Sequence, residues 1–300
     1  MTRKVLLFIL LGLWWLQPDN VWAQQTCCSR FVAFSTDKEF VKAHETPLPY
    51  QYTGAAGKAI TFITLDGKKA NAFLIKSAQE SDKFLFIFHE WWGLNDYVKN
   101  EAAWYAQSLK DVNVMAIDLY DGNIAATREE AAAYMQTVKP ERAQKIIEGA
   151  MAYAGKKAKI VTLGWCFGGT WSLQAALQLG KKAKGCVMYY GMPETDTQKL
   201  KKLHCSVLGF FAAQDQWITP AVVHEFEAKM DSVGKKYKTK IYEADHAFAN
   251  PSNPHYNKVF TDECRKQSVA YITSKLKNLL EKNPQKAKAK KAAKSNTATM

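Results

Sequence analysis

Cys166, Asp215 and His246 follow one another along the 300-residue chain in the order nucleophile, acid, base. Brought together, a sulfur, a carboxylate and an imidazole can attack an acyl carbon. A thiol is only partly ionised at neutral pH and its thiolate is the attacking form. His246 would take the proton of Cys166 and later return it to the leaving group. Asp215 would accept a hydrogen bond from the other ring nitrogen, fixing the tautomer and stabilising the imidazolium. Cys166 sits in Gly164-Trp165-Cys166-Phe167-Gly168-Gly169, between the apolar run Ile160-Val161-Thr162-Leu163 and a helix-like stretch, Thr170 to Leu179. Strand, sharp turn and helix, with glycines two residues to either side of a nucleophile, form the layout of a nucleophile elbow with cysteine in place of serine. A Cβ at either flanking position would collide with a neighbouring strand or helix. The turn also frees backbone N–H groups to bind an oxyanion, and those of Phe167 and Trp91 are the expected donors.

Each of these residues also has a plain structural reading: a buried thiol, an acid at a helix start, a surface histidine. His44, His204, His224 and His255 are read as ordinary histidines of that last kind. His89 is read as packing at a strand end, since no second histidine stands at metal-ligand spacing from it.

The elements that must position these groups alternate along the chain. Asp66-Gly67 separates two strand-like runs, 59–64 and 70–75, and predicts a hairpin. Strands are then expected at 84–88, 112–117, 159–163, 184–190, 206–212 and 239–242. Helices are expected at 96–110, 127–136, 140–154, 168–180, 219–232 and 256–281. Apolar strands interleaved with amphipathic helices specify an α/β fold with a mostly parallel, doubly wound sheet covered on both faces. In such a sheet function gathers beyond the carboxyl ends of the strands, where His89-Glu90-Trp91-Trp92, Cys166, Asp215 and His246 all fall.

The chain ends read differently from this body. Arg3 and Lys4, an uncharged core from Val5 to Leu16, and Val21-Trp22-Ala23 read as a cleavable export signal over 1–23, cut near Ala23. Residues 24–57 form an irregular arm punctuated by Pro47, Pro49, Gly54 and Gly57, and 58–281 form the catalytic domain. The tail, 282–300, carries six lysines and no acid, too polar to order itself. Much of the formal net charge of +13 therefore lies in that tail, which can contact anionic surfaces. It lacks aromatics for base stacking, and no nucleic-acid partner is expected. Export permits disulfides, so Cys27 or Cys28 could pin the arm through Cys205 or Cys264, a pairing that spacing cannot decide. Cys186 is read as a small buried apolar residue.

Taken together, H-E-W-W-G-L-N at 89–95, D-L-Y at 118–120, G-W-C-F-G-G at 164–169, Y-Y-G at 189–191, Asp215 and H-x-F at 246–248 resemble the dienelactone hydrolase family of α/β hydrolases. The resemblance spans nearly all of 58–281 and implies a Cys166–His246–Asp215 triad. It also implies that Glu90 is the glutamate that touches the resting thiol and helps deliver its proton. The chain departs from the family where substrate is held. Two arginines bind the dienelactone carboxylate in that family; here Asp121-Gly122 follow D-L-Y, and Asn250 stands after H-x-F-A. Neither asparagine nor aspartate replaces a bidentate arginine, so dienelactone itself is not expected to be a good substrate. Trp92, Tyr120 and Trp165, with Tyr189, Tyr190, Phe248 and Asn250, are expected to line an apolar pocket for an uncharged ester or lactone. The expected enzyme acts through an acyl-thioester, as a monomer, with no metal or organic cofactor. The alternative is a non-catalytic ligand-binding module on the same scaffold.

Overall fold

The computed structural model describes residues 27–277. The expected signal segment and the lysine-rich tail lie outside the described residues. Eight strands form one sheet in the order β1-β2-β4-β3-β5-β6-β7-β8. The hairpin is present: β1 (Lys58–Ile63) and β2 (Lys69–Ile75) pair antiparallel, and β2 pairs antiparallel with β4 (Asn113–Ile117). The remaining strands run parallel: β3 (Lys83–Phe88), β5 (Lys159–Trp165), β6 (Ala183–Tyr189), β7 (Ser206–Ala212) and β8 (Tyr237–Tyr242).

Every residue of β3 and β4 is buried, as a parallel strand covered on both faces must be. From β3 the chain crosses to β4, then returns past β3 to β5, so the winding direction reverses between β3 and β5. A crevice forms at such a switch point. The helices α3 (Asp96–Leu109) and α9 (Lys258–Leu276) pack together over the sheet, as do α5 (Pro140–Ala154) and α6 (Phe167–Leu179). Asn95 and Asn257 cap α3 and α9 through their side chains. Pro220 opens α8 (Pro220–Ser232) as expected, but the side chain of Thr219 makes no capping bond. Two further helices, α4 (Arg128–Thr137) and the short α7 (Thr197–Leu200), complete the body.

The arm differs from expectation. It is not irregular over 27–44 but folds into α1 (Cys27–Ala33), a 3-10 turn and α2 (Lys38–Ala43), the last capped by Asp37. These helices lie against α6 and α4 and bury Cys27, Cys28, Phe31, Phe40 and His44. All six cysteines are unbridged thiols. Cys27 contacts Gln174 on α6 rather than Cys205 or Cys264. Cys186 is buried and touches Ser172.

Candidate active site

The turn between β5 and α6 puts Cys166 at φ 55° and ψ −121°, a conformation that L-residues avoid. Two glycines make it sterically feasible. A Cβ on Gly164 would lie 2.1 Å from the Gly168 carbonyl oxygen, and one on Gly168 would lie 2.2 Å from that of Phe88. Sulfur is thereby lifted off the end of β5, beside the Phe167 backbone N–H.

The loops after β7 and β8 bring the other two groups to it. His246 Nε2 is 3.4 Å from Cys166 Sγ, and His246 Nδ1 is 2.5 Å from Asp215 Oδ2. The second oxygen of Asp215 accepts from the N–H groups of Trp217 and Ile218, each at 2.9 Å. Burial pushes Asp215 upward, but the neighbouring imidazole and these hydrogen bonds hold it below the usual carboxylate range. Burial opposes charge on His246, yet the Asp215 carboxylate beside it holds its proton affinity well above an ordinary histidine's. Burial raises the Cys166 thiol in spite of the nearby imidazole. The two groups therefore compete for one proton between Sγ and Nε2, which burial holds on the thiol and Asp215 draws to the imidazole.

Glu90, just past β3, is buried, but its carboxylate is not hydrogen-bonded to the thiol. It accepts from Asn250 Nδ2 at 2.6 Å and from the Tyr190 hydroxyl at 3.4 Å. Burial lifts its pKa to about 7 against the pull of His246 and these two donors. The adjacent cleft is lined by Glu90, Trp92, Trp165 and Asn250, and also by Glu101 and Tyr97. No lysine or arginine lines it. Arg265 is tied in a fork to Glu101. Arg142 is engaged by Asp121, the residue after D-L-Y, at 2.6 Å. The cleft is closed down to about 20 Å³, little more than one water.

The second imidazole at the sulfur comes from the arm, and sequence reasoning missed it. His44 Nε2 lies 3.8 Å from Cys166 Sγ, on the residue just past α2. His44 Nδ1 lies 2.7 Å from the Phe40 carbonyl oxygen, which can only accept, so Nδ1 carries the proton and Nε2 is a bare lone pair. Burial and the charge of His246 drop its pKa to about 3, keeping the ring neutral. Phe40 and Trp91 pack on it with ring centroids 4.2 and 4.4 Å away. The sequence marks this histidine only by Phe40, four residues earlier, in a segment too short for periodicity to show.

The other expected residues divide between cleft and core. Trp92, Trp165 and Asn250 line the cleft. Tyr190 packs on His246 and reaches Glu90. Tyr189 does not reach the cleft; its hydroxyl meets those of Tyr105 and Ser268 beneath α9. Phe248 packs in the core against Tyr190, Tyr242 and Phe260. Tyr120 lies between His89 and Phe167 with its hydroxyl buried and unpaired among the described residues. Trp91 is fully buried beside His44, and its backbone N–H makes no hydrogen bond among the described residues. His89 is a packing residue as expected: Nε2 accepts from the Leu119 N–H at 3.0 Å, and Nδ1 reaches the Glu90 carbonyl.

Comparison with known proteins gives the family and the fold. The model of the dienelactone hydrolase family matches residues 70–276. A Saccharolobus solfataricus protein named as a carboxymethylenebutenolidase is 25% identical over 256 residues, covering 70% of this chain and 96% of its own. Among solved structures, a dienelactone hydrolase-like promiscuous phosphotriesterase from metagenomic libraries superposes with a TM-score of 0.65 at 17% identity, covering 74% of this chain and all of that one. An esterase of Pyrococcus furiosus superposes with a TM-score of 0.57 at 14% identity, covering 78% of this chain and 99% of that one.

Proposed function

The chain belongs to the dienelactone hydrolase family, and from that premise we propose that it is an exported cysteine hydrolase of small, uncharged esters or lactones. The observation that carries this reading is the unbroken run of contacts from Asp215 through His246 to a sulfur held on a strained turn. Substrate carbonyl carbon is attacked by Sγ as His246 Nε2 accepts the sulfur's proton. The carbonyl oxygen, now an oxyanion, is held by the N–H groups of Phe167 and Trp91, each such donor being worth about 10²–10³ in rate. Collapse forms an acyl-thioester and expels the alkoxide, which takes the proton from His246. A water, deprotonated by the same imidazole, then cleaves the thioester, and the sulfur regains its proton as the acid leaves. No metal or organic cofactor enters these steps.

Substrate charge is argued from the cleft. Glu90 and Glu101 line it without a lysine or arginine, so a substrate carboxylate there would find no clamp. Trp92 and Trp165 offer apolar walls, with Asn250 as a neutral hydrogen-bonding group. The uncharged core Val5 to Leu16, followed by a cleavage site at Ala23, supports export, and the lysine-rich tail supports contact with an anionic surface.

A panel of neutral esters, lactones, thioesters and dienelactone tests the reading on parent and Cys166→Ala protein. We expect turnover of neutral esters or lactones by the parent, at least about 10³-fold less by the variant, and little on dienelactone. Turnover surviving in Cys166→Ala, or dienelactone as the best substrate, would overturn it.

A further inference from the structure

We propose that Cys166, His246 and His44 form a binding site for a thiophilic divalent cation, of which Zn²⁺ is the type, and that its occupation arrests the nucleophile. Cation binding does not rest on the hydrolase reading; the arrest does.

Three atoms define the site. The two Nε2 atoms lie 3.4 and 3.8 Å from the sulfur, and no two of the three are more than 4.8 Å apart. A tetrahedral zinc with Zn–S of about 2.3 Å and Zn–N of about 2.0–2.1 Å needs S···N separations of about 3.5 Å. The two sulfur–nitrogen distances therefore already stand close to the spacing the ion requires, and the two nitrogens, within 4.8 Å of each other, would settle at about 3.3 Å on binding. One thiolate and two imidazoles also suit a borderline-soft ion and disfavour magnesium or calcium.

Orientation supports the same reading. A metal-ligating histidine ordinarily donates its other ring N–H to a carboxylate or a backbone carbonyl. Here one ring donates to Asp215 Oδ2 and the other to the Phe40 carbonyl, so both free lone pairs face the sulfur. Hydrolysis needs only the first ring. The second is not used by any step above, comes from the arm outside the family-matched segment, and is fixed by Phe40 and Trp91 before any ligand arrives. Little ordering remains to oppose binding.

Access reaches the two imidazoles, although the sulfur itself does not line the cavity. A cavity of about 170 Å³ opens beside His44 and His246, with the Asp245 carboxylate and His255 at its wall. The fourth position is left for water. On binding, the ion takes Sγ as thiolate, and the single proton shared by Sγ and His246 Nε2 passes to solvent; no electron moves. The sulfur lone pair and the imidazole that would accept its proton are then both committed to the metal.

The test uses the full chain freed of metal by chelator dialysis. Co²⁺ titration should give a thiolate-to-cobalt charge-transfer band in the near ultraviolet and intense visible bands of tetrahedral geometry, saturating at one ion per chain. Zn²⁺ should displace it and stop ester turnover, reversibly with chelator. Cys166→Ala should lose the charge-transfer band. His44→Gln should weaken Zn²⁺ binding by on the order of a hundredfold, with far-ultraviolet circular dichroism confirming its fold. Cys27→Ser/Cys28→Ser should bind as the parent does. A missing band, an unchanged Zn²⁺ affinity in His44→Gln, or a band that follows Cys27 and Cys28 would overturn the site. A parent that shows the band yet hydrolyses nothing would retain the site and sink the hydrolase reading alone.

Discussion

Glu90 is a carboxyl whose burial works against the fold. Its pKa of about 7 in the folded protein, against 4.5 for an ordinary glutamate, means that the native state holds this proton more tightly than the unfolded chain does. Stability from that proton is fully present below pH 4.5 and is lost as pH rises through 7. Ionised at pH 8, the group costs about 3 kcal/mol relative to low pH. Glu90→Gln keeps an acceptor for Asn250 and removes the charge. It should therefore be more stable than the parent at pH 8 by up to about 3 kcal/mol and match it at pH 4. Urea denaturation at the two pH values checks this; equal stability at both would show that Glu90 is not held protonated by burial. At this scale the sequence was most readable where a reactive residue lies just past a strand, as Cys166 does directly after β5 and Asp215 and His246 do in the loops after β7 and β8. Tyr189 and Tyr190 show what it hides. Neighbouring side chains at a strand end leave on opposite faces, so one reaches Ser268 and the other Glu90. His44 was invisible because its importance comes from a contact 122 positions away in the chain.

Among elements, the elbow depends on a neighbour that the G-x-C-x-G pattern does not include. A Cβ on Gly191, just past β6, would lie 2.4 Å from the Thr170 nitrogen and 2.5 Å from the Gly169 carbonyl carbon. Both belong to the first turn of α6, and backbone cannot rotate aside as a side chain can. Gly191→Ala should therefore push α6 off β6 and tilt Cys166 away from His246. We expect a loss of about 3 kcal/mol, the upper end for overpacking, together with most ester turnover. Thermal unfolding and kinetics check the pair of effects, and a variant with parental stability would mean that α6 shifts freely. The sheet strands and long helices could be placed from sequence within about two residues, because each carries several turns of period or a run of β-branched and aromatic residues, except that the last helix, expected to 281, ends at Leu276. The hairpin followed from Asp66-Gly67, but its register did not: Ile63 pairs with Lys69 around a loop longer than the two-residue turn that dipeptide favours. In contrast, α1 and α2 span only seven and six residues. Helices that short form through tertiary contact rather than propensity, so local pattern could not reveal them.

For the molecule as a whole, those two helices raise the question of how substrate reaches a sulfur that is 0% exposed. The family-matched body, 70–276, contains the elbow, the acid and the imidazole. What closes over them from outside that segment is the arm, with Phe31 against Phe167 and Phe40 among His44, Trp91, Trp217 and His246. Phe40 is fully buried, so truncating it to alanine removes about 3–5 kcal/mol of packing. That loss falls mostly on arm docking, since the sheet core lies elsewhere, and should raise the open population by about a hundredfold to a few thousandfold. Local opening of this kind exposes the thiol without global unfolding. Phe40→Ala should accordingly speed iodoacetamide labelling of Cys166 by at least about tenfold, read peptide by peptide so that the other five cysteines do not obscure it. Far-ultraviolet circular dichroism should stay unchanged. Labelling at the parental rate would mean that the arm is not the gate. The cleft beside Trp92 and Trp165 would then have to widen for the reaction to proceed.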